Sequence, residues 1–141
     1  MRIGFIGLGT MGGAASLNLI RGGHQLTVCD LDLKRAAKHL ELGAKWADTP
    51  SEAAKDVDIV FTMVFGPKQI EQIIRGENGL LHSMGPGQVW VDLTTNQPEL
   101  ARELAQEIID TGAIAIDAPV TGAVDGARNG NMTQFAGGDK E

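Results

Sequence analysis

The chain has 141 residues, of which 43% are hydrophobic and 21% are charged, and these values are typical of one globular domain. Its formal net charge is −6 and its twelve lysines and arginines are scattered, which excludes a protein that binds the phosphate backbone of nucleic acids. The longest apolar stretch, residues 59–65, is too short to cross a membrane.

A single cysteine, Cys29, excludes an intramolecular disulfide and indicates a reducing compartment. Because Cys29 lies within an apolar run that predicts a strand, we expect a buried, inert thiol. We therefore expect a protein of the cytoplasm, or of an organelle matrix in a eukaryote, with neither nucleic acid nor membrane as a partner.

Short apolar runs alternate with amphipathic segments along the chain, a pattern typical of βαβ units around a parallel sheet. The apolar runs predict strands at 2–6, 25–29, 45–47, 59–64, 88–92 and 114–117. The segments between them predict helices at 10–21, 32–42, 68–75, 79–83 and 98–111, and a capping box at 49–52 begins one more helix. From residue 118 onward the pattern loosens, and 133–136 is the one further strand that we predict. The fold class is therefore α/β, with a doubly wound parallel sheet.

A G-x-G-x-x-G sequence, residues 7–12, joins the first predicted strand to the first predicted helix. In such a turn, free N–H groups at the positive end of the helix bind a pyrophosphate. Gly7 permits the tight turn, Gly9 lets the phosphates approach the backbone, and Gly12 lets the helix pack against the strand. The hexapeptide alone is weak evidence, but its place between a strand and a helix predicts a Rossmann-type dinucleotide-binding domain over residues 1–141.

Asp30 ends the second predicted strand, 23 residues after Gly7, where such domains carry the acid that binds the adenosine ribose. Its carboxylate would repel the extra phosphate of NADP, since like charges about 4 Å apart interact by roughly 4 kcal/mol at an effective dielectric near 20. No Arg or Lys immediately follows Asp30, because Leu31 and Asp32 do. We therefore predict NAD as the cofactor, with NADP disfavoured.

Ligands of open α/β sheets bind beyond the carboxyl ends of the strands, so three later loops are candidate contacts. Residues 64–67 follow the fourth strand and would line the adenine or ribose side of a cofactor. In residues 94–96 a hydroxyl can reach the nicotinamide ribose, although Asn96 is equally an N-cap for the next helix. N–H groups near Thr121 and Gly122 can hold a small carboxylate, although a structural glycine turn explains the same residues.

The other candidate side chains do not form a site in the sequence. The three histidines, His24, His39 and His82, lack metal-ligand spacing, and we expect them to be solvated or to cap helices. Ser16 and Ser83 have no recognisable base nearby. We therefore predict neither a metal site nor a nucleophilic serine.

With these residues in view, the chain resembles the β-hydroxyacid dehydrogenase family of 3-hydroxyisobutyrate dehydrogenase-like enzymes, and specifically its N-terminal NAD-binding domain. The similar stretches are residues 3–12, 18–24, 91–95 with Pro98, and 117–122 followed by Gly126, Ala127 and Gly130. Together these stretches are more specific than the glycine sequence alone.

The resemblance implies a role for each matching position. The pyrophosphate loop would be formed by Gly7, Leu8, Gly9, Thr10, Met11 and Gly12. The remaining cofactor contacts would be Asp30 on the adenosine ribose, Met63, Val64 and Phe65 beside the cofactor, and Thr94 near the nicotinamide. The substrate carboxylate would be anchored by Thr121, Gly122 and Ala123.

The chain departs from the family's pattern in four respects. Residues 121–123 are Thr-Gly-Ala where the family usually has Ser-Gly-Gly, which keeps the hydroxyl and narrows the pocket. Phe65 replaces a frequent proline, and Asn131 replaces a common threonine. The family's general acid/base lysine lies on a helix of a second, all-helical domain, which we expect beyond Glu141. We therefore assign no catalytic residue within this chain.

The resemblance implies an NAD-dependent oxidoreductase that transfers a hydride between a short 3-hydroxy acid and the nicotinamide. Its substrate would be a small carboxylic acid, and its full-length form a homo-oligomer. Because the base is missing, we expect the isolated chain to bind NAD(H) with little or no turnover. Two alternatives stay open: a stand-alone NAD-binding or sensing module, and an imine reductase-like enzyme.

Overall fold

A parallel sheet forms the centre of the fold in the computed structural model, which describes residues 1–138. Within this part, the sheet contains six strands: β1 Arg2–Ile6, β2 Gln25–Cys29, β3 Lys45–Trp46, β4 Ile59–Thr62, β5 Val89–Asp92 and β6 Ile114–Asp117. They lie in the order β3-β2-β1-β4-β5-β6, each parallel to its neighbours. The chain runs outward from β1 to β3 and then returns to the other side of β1. This doubly wound topology confirms the predicted fold class and places a crevice beyond the carboxyl ends of β1 and β4.

Helices cover the sheet and connect its strands. The α-helices of the described part are α1 Thr10–Arg21, α2 Ala37–Glu41, α3 Pro50–Ala53, α4 Pro67–Arg75, α5 Pro98–Asp110 and α6 Ala123–Asn129. Short 3-10 helices lie at Leu33–Ala36 and Leu80–His82. After β6, an antiparallel ribbon forms from β7 Val120–Thr121 and β8 Thr133–Gln134.

The core lies on both faces of the sheet because successive strand residues point to opposite sides. On one face, helices α4 and α5 bury Ile70, Ile74, Leu104 and Ile108 completely. On the other face, α1 packs over Phe5 and other strand residues. Full burial of one such side chain stabilises the fold by about 1.5–3 kcal/mol. This two-sided packing holds the strand ends, and therefore the loops that follow them, in fixed positions.

The predicted single helix over residues 32–42 is wrong in its first half, which is a 3-10 helix followed by the short α2. The Asp32 side chain accepts a hydrogen bond from the Lys34 N–H, and the Ala37 N–H donates to the Lys34 carbonyl three residues back. These two bonds wind the chain more tightly than an α-helix. Gly43 then ends the segment with a φ of +90°, as predicted.

Helix α6 was absent from the sequence prediction. Its residues are small and include Gly126, which gives a weak helical signal. The helix is held by packing on α1 instead. There the Asn18 side chain donates from Nδ2 to the Ala127 carbonyl at 2.7 Å, close to the end of α6. The contact with α1 thus stabilises a helix whose own sequence has only a weak helical preference.

Candidate functional site

The turn between β1 and α1 admits only glycine at two of its positions. At Gly7 φ is +99°, and a side chain would overlap the carbonyl oxygen of Met63. At Gly12 a side chain would overlap the carbonyl oxygen of Gly7. The fold itself therefore requires these two glycines, for the tight turn and for the close packing of helix on strand.

Gly9 differs from the other two glycines, because the protein's own packing does not require it. Its backbone is extended, with φ −63° and ψ −173°, and apart from Gly9 and its two chain neighbours no atom of residues 1–138 lies within 4 Å of where a Cβ would be. Gly9 is the N-cap of α1, and no side chain caps that helix end. The result is an open cradle beside uncapped N–H groups at a positive helix end, which fits a phosphate group.

Asp30 lies directly beside this turn. Its Oδ2 accepts a hydrogen bond from the Leu8 N–H at 2.7 Å, and its Oδ1 accepts one from the Asp32 N–H at 3.0 Å. Only 8% of the side chain is exposed. A carboxylate has about four acceptor positions, so the two backbone donors fix its orientation and leave capacity for ribose hydroxyls.

Arg35 approaches the same carboxylate. Its Nη1 lies 3.6 Å from Asp30 Oδ1, and 47% of its side chain is exposed. No cation follows Asp30 directly in the sequence, but the 3-10 helix at Leu33–Ala36 brings Arg35 back to it. The guanidinium offsets part of the negative charge of Asp30, which lowers the repulsion that this acid exerts on a second anion.

The loops after β4 and β5 meet at neighbouring strand ends. The Val64 N–H donates to Thr94 Oγ1 at 3.2 Å. Met63 and Thr94 are buried, whereas Phe65 is 89% exposed. The structure thus brings together the two loops that were predicted to flank the cofactor, although their contacts with it stay predictions.

A buried polar network around Asp92 joins these loops, and sequence reasoning did not identify it. Asp92 is 2% exposed and accepts hydrogen bonds from Thr62 Oγ1 at 2.8 Å, the Thr94 N–H at 3.1 Å and Asn96 Nδ2 at 2.7 Å. Trp90 Nε1 donates to Thr62 Oγ1 at 3.0 Å. The network ties the ends of β4 and β5 to the loop that follows β5.

The capping interpretation of Asn96 is wrong. Helix α5 has Gln97 as its N-cap and no side-chain cap, and the Asn96 amide is used by Asp92 instead. Burial raises the pKa of Asp92 to about 6, the hydrogen bonds from Thr94 and Thr62 oppose this shift, and the charge of Asp117 adds to it. Asp117 is the register partner of Asp92 on β6, and burial raises its pKa too. Two acids of raised pKa therefore end the two adjacent strands.

The predicted substrate residues lie on an exposed bend between β7 and α6. Gly122 and Ala123 both have left-handed backbones, with φ values of +118° and +50°. Alanine rarely adopts this conformation, which costs it about 1–2 kcal/mol. Thr121 pairs with Thr133 in the ribbon. The bend is thus built from an ordered ribbon and a helix that Asn18 attaches to α1.

Three other expectations have clear outcomes. The prediction for Cys29 is confirmed, since the thiol is buried and its burial raises its pKa to about 12. The expectation that no base lies near Ser16 is wrong as to distance, because its Oγ lies 2.7 Å from Nε2 of His39, but the hydroxyl donates to the Gly12 carbonyl rather than to this imidazole. His39 is also buried rather than solvated. These two residues are 23 positions apart, and only the packing of α1 against α2 brings them together.

Neither a metal centre nor a membrane segment is evident in the described part. Within residues 1–138, no three His, Cys, Asp or Glu side chains are grouped closely enough to hold a metal ion. No helix there has the length and apolar character needed to cross a membrane.

Comparison with known proteins gives consistent matches. A relative from Arabidopsis thaliana, "probable 3-hydroxyisobutyrate dehydrogenase-like 3, mitochondrial", is 41% identical over 140 residues, which are 99% of this chain and 44% of that protein. The structure of Mycobacterium tuberculosis 3-hydroxyisobutyrate dehydrogenase with L-serine has a TM-score of 0.90 and 29% identity, over 99% of this chain and 47% of that one. The structure of the imine reductase from Myxococcus stipitatus in complex with NADP+ has a TM-score of 0.81 and 27% identity, over 89% of this chain and 43% of that one.

The chain spans about half the length of the curated relatives it matches. Residues 2–141 match the family model described as the NAD binding domain of 6-phosphogluconate dehydrogenase. The matched residues include the glycine turn, Asp30 and the six strands of the sheet described above. The chain therefore belongs to the family of NAD-binding domains typified by that of 6-phosphogluconate dehydrogenase.

Proposed function

We propose that this chain is the cofactor-binding part of an NAD-dependent oxidoreductase that transfers a hydride between a short 3-hydroxy acid and the nicotinamide. The observation that carries the proposal is the open cradle at Gly9 beside the fixed carboxylate of Asp30. The Leu8 N–H, within the glycine turn, donates to that carboxylate at 2.7 Å. The phosphate cradle and the ribose acid are thus adjacent, as the two parts of one nucleotide require.

Each element of the site has a part in holding the cofactor under this proposal. The glycine turn, residues 7–12, binds the pyrophosphate through backbone N–H groups, and Asp30 binds the adenosine ribose. Met63, Val64 and Phe65 flank the cofactor, and Thr94 lies near the nicotinamide. The bound cofactor supplies the hydride chemistry, while the protein positions and orients it.

The substrate would be held at the bend formed by Thr121, Gly122 and Ala123. Its left-handed backbone is stored strain of the kind found at ligand-binding positions. The Mycobacterium tuberculosis relative was solved with L-serine, which is itself a 3-hydroxy carboxylic acid. We place the acid/base lysine in a helical domain beyond Glu141 and the full-length homo-oligomer in the cytoplasm or an organelle matrix.

A second candidate activity is imine reduction, favoured by the structural match to the Myxococcus stipitatus imine reductase. A full-length protein would separate the two activities directly. Oxidation of 3-hydroxy acids without reduction of cyclic imines supports the dehydrogenase, and the opposite pattern supports the imine reductase.

Substitution of Gly9 by alanine tests the proposed cofactor site. The extended backbone there admits alanine and the new methyl meets no atom of residues 1–138, so the free energy of unfolding should change by no more than about 1 kcal/mol. The methyl would fill the phosphate cradle, however, and NADH affinity should fall at least about tenfold.

Gly85→Ala is the matched control, since the nearest atom to its added Cβ, the Thr111 carbonyl oxygen, is 4.0 Å away. It lies in a loop far along the chain from the glycine turn and should leave NADH binding unchanged. Fluorescence titration with NADH measures both variants. Equal affinity of Gly9→Ala and the unmodified chain for NADH would contradict the proposed site.

A further inference from the structure

A buried polar pair connects the two halves of the proposed nucleotide site from inside the protein. Ser16 on α1 is 0% exposed and His39 on α2 is 2% exposed. Ser16 Oγ lies 2.7 Å from His39 Nε2 and donates to the Gly12 carbonyl at 2.7 Å, with the Gly13 carbonyl at 3.2 Å. A chain of hydrogen bonds therefore runs from α2 to the first turn of α1.

The direction of these bonds follows from the protons available. A hydroxyl has one proton, and Ser16 donates it to the Gly12 carbonyl, so His39 must donate its Nε2–H to Ser16. His39 Nδ1 then carries the lone pair, and this buried atom has no hydrogen-bond partner within residues 1–138. A charged imidazolium would add a proton at Nδ1.

Burial keeps this imidazole neutral. It lowers the pKa of His39, while the backbone carbonyls of Gly13 and Arg35 oppose the shift without cancelling it. His39 is therefore a neutral hydrogen-bond donor in a fixed position. Through the hydroxyl of Ser16, it restrains the backbone of the glycine turn.

The two ends of this hydrogen-bond chain belong to the two segments that would bind one nucleotide. Gly12 is the last glycine of the pyrophosphate turn. His39 follows Arg35 in the segment that begins at the ribose acid Asp30. At the surface, the Leu8 N–H already joins the same two segments by donating to Asp30. The Ser16–His39 bond is thus a second, internal connection between them.

We propose that Ser16 and His39 are positioning residues for the cofactor, whose hydrogen bond fixes the distance between the pyrophosphate turn and the ribose-binding segment. The proposal rests on the proposed function. Two apolar side chains would fill the same space, but their contact would not fix the relative orientation of the two segments as a hydrogen bond does. A buried polar pair also carries a desolvation cost that packing alone does not explain.

Four variants separate positioning from a structural role. Ser16→Ala leaves the buried His39 Nε2–H without its acceptor, whereas in His39→Leu the Ser16 hydroxyl keeps its bond to the Gly12 carbonyl, so Ser16→Ala should lower stability more. Both variants should weaken NADH and ADP-ribose binding by about three- to tenfold. The double variant Ser16→Ala/His39→Leu replaces both partners by apolar groups and should recover most of the stability. Its affinity for NADH and ADP-ribose should nevertheless stay low. His39→Gln keeps an N–H donor and should bind both ligands more tightly than His39→Leu.

Urea denaturation and fluorescence or calorimetric titration of the 141-residue chain provide the two readouts. Recovery of wild-type affinity by the double variant would overturn the positioning role, as would equal binding by His39→Gln and His39→Leu. Absence of NADH binding by the unmodified chain would overturn the proposed function and this inference with it. Normal NADH binding by the unmodified chain and by all four variants would overturn this inference alone.

Discussion

Asp30→Asn removes one negative charge from the proposed ribose-binding position and keeps the size of the side chain. The carboxylate now accepts hydrogen bonds from the N–H groups of Leu8 and Asp32 and lies 3.6 Å from Arg35. Asparagine retains one acceptor oxygen, so one of the two backbone donors keeps its bond. Arg35 loses its anionic partner and becomes free to contact another anion.

The size of the effect follows from charge and distance. A 2′-phosphate about 4 Å from Asp30 is repelled by roughly 4 kcal/mol at an effective dielectric near 20, and the neighbouring Arg35 guanidinium reduces this to about 2 kcal/mol. Relief of that repulsion should strengthen NADPH binding at least about tenfold. NADH binding should weaken about tenfold or more, because hydrogen bonds to a charged group are worth about 1.5–3 kcal/mol.

Calorimetric titration of the variant with NADH and NADPH measures both changes. Asp32→Asn is the matched control, since it makes the same change of charge two residues away, at a side chain that among residues 1–138 accepts only from the Lys34 N–H. Adding Arg35→Gln to Asp30→Asn should remove part of the gain in NADPH affinity. A ratio of NADH to NADPH affinity that stays within about twofold of the unmodified ratio would refute the reasoning.

Two further predictions concern stability. The pKa of Asp92 is raised from 3.8 to about 6 in the folded chain, so the stabilisation from its protonated form, complete below about pH 4, is lost as the pH rises through 6. Asp92→Asn lacks this loss, so its free energy of unfolding in urea should rise relative to that of the unmodified chain by about 2 kcal/mol between pH 4 and pH 7; a constant difference would contradict this. Ala123→Gly should raise the free energy of unfolding by about 1 kcal/mol, because glycine accepts the left-handed backbone without strain. A lower melting temperature for that variant would show that the alanine methyl contributes more through packing than it costs in strain.

Sequence reasoning succeeded where the structure depends on local pattern. The apolar runs predicted where the six strands of the sheet lie along the chain. The glycine turn follows the first of these strands and Asp30 follows the second, as predicted. Gly12 could be assigned because its role depends on a backbone contact with Gly7 within one βα unit, and Gly7 because the tight turn after a strand requires a glycine, although the backbone that excludes a side chain there is that of Met63 after β4. The parallel sheet then brings the loops after β4 and β5 together without further information.

The features that sequence reasoning missed depend on how the segments pack in the folded chain. Ser16 and His39 meet only after α1 and α2 have packed. Asn96 occupies a plausible capping position, but the buried charge of Asp92 competes for its amide. Helix α6 has little intrinsic helical preference and is held by Asn18 from α1. For Ser16 and for α6, a hydrogen bond between distant segments overrides the local signal, and for Asn96 the burial of Asp92 within the packed sheet does so. Local patterns encode neither effect.

We expect the glycine turn and Asp30 to bind one NAD(H) molecule together. Calorimetric titration of the unmodified chain with NADH and, in parallel, NADPH at the same salt concentration measures this binding. Saturable binding of one NADH per chain, tighter than that of NADPH, is the expected result. No heat of binding with NADH, or tighter binding of NADPH, would contradict it.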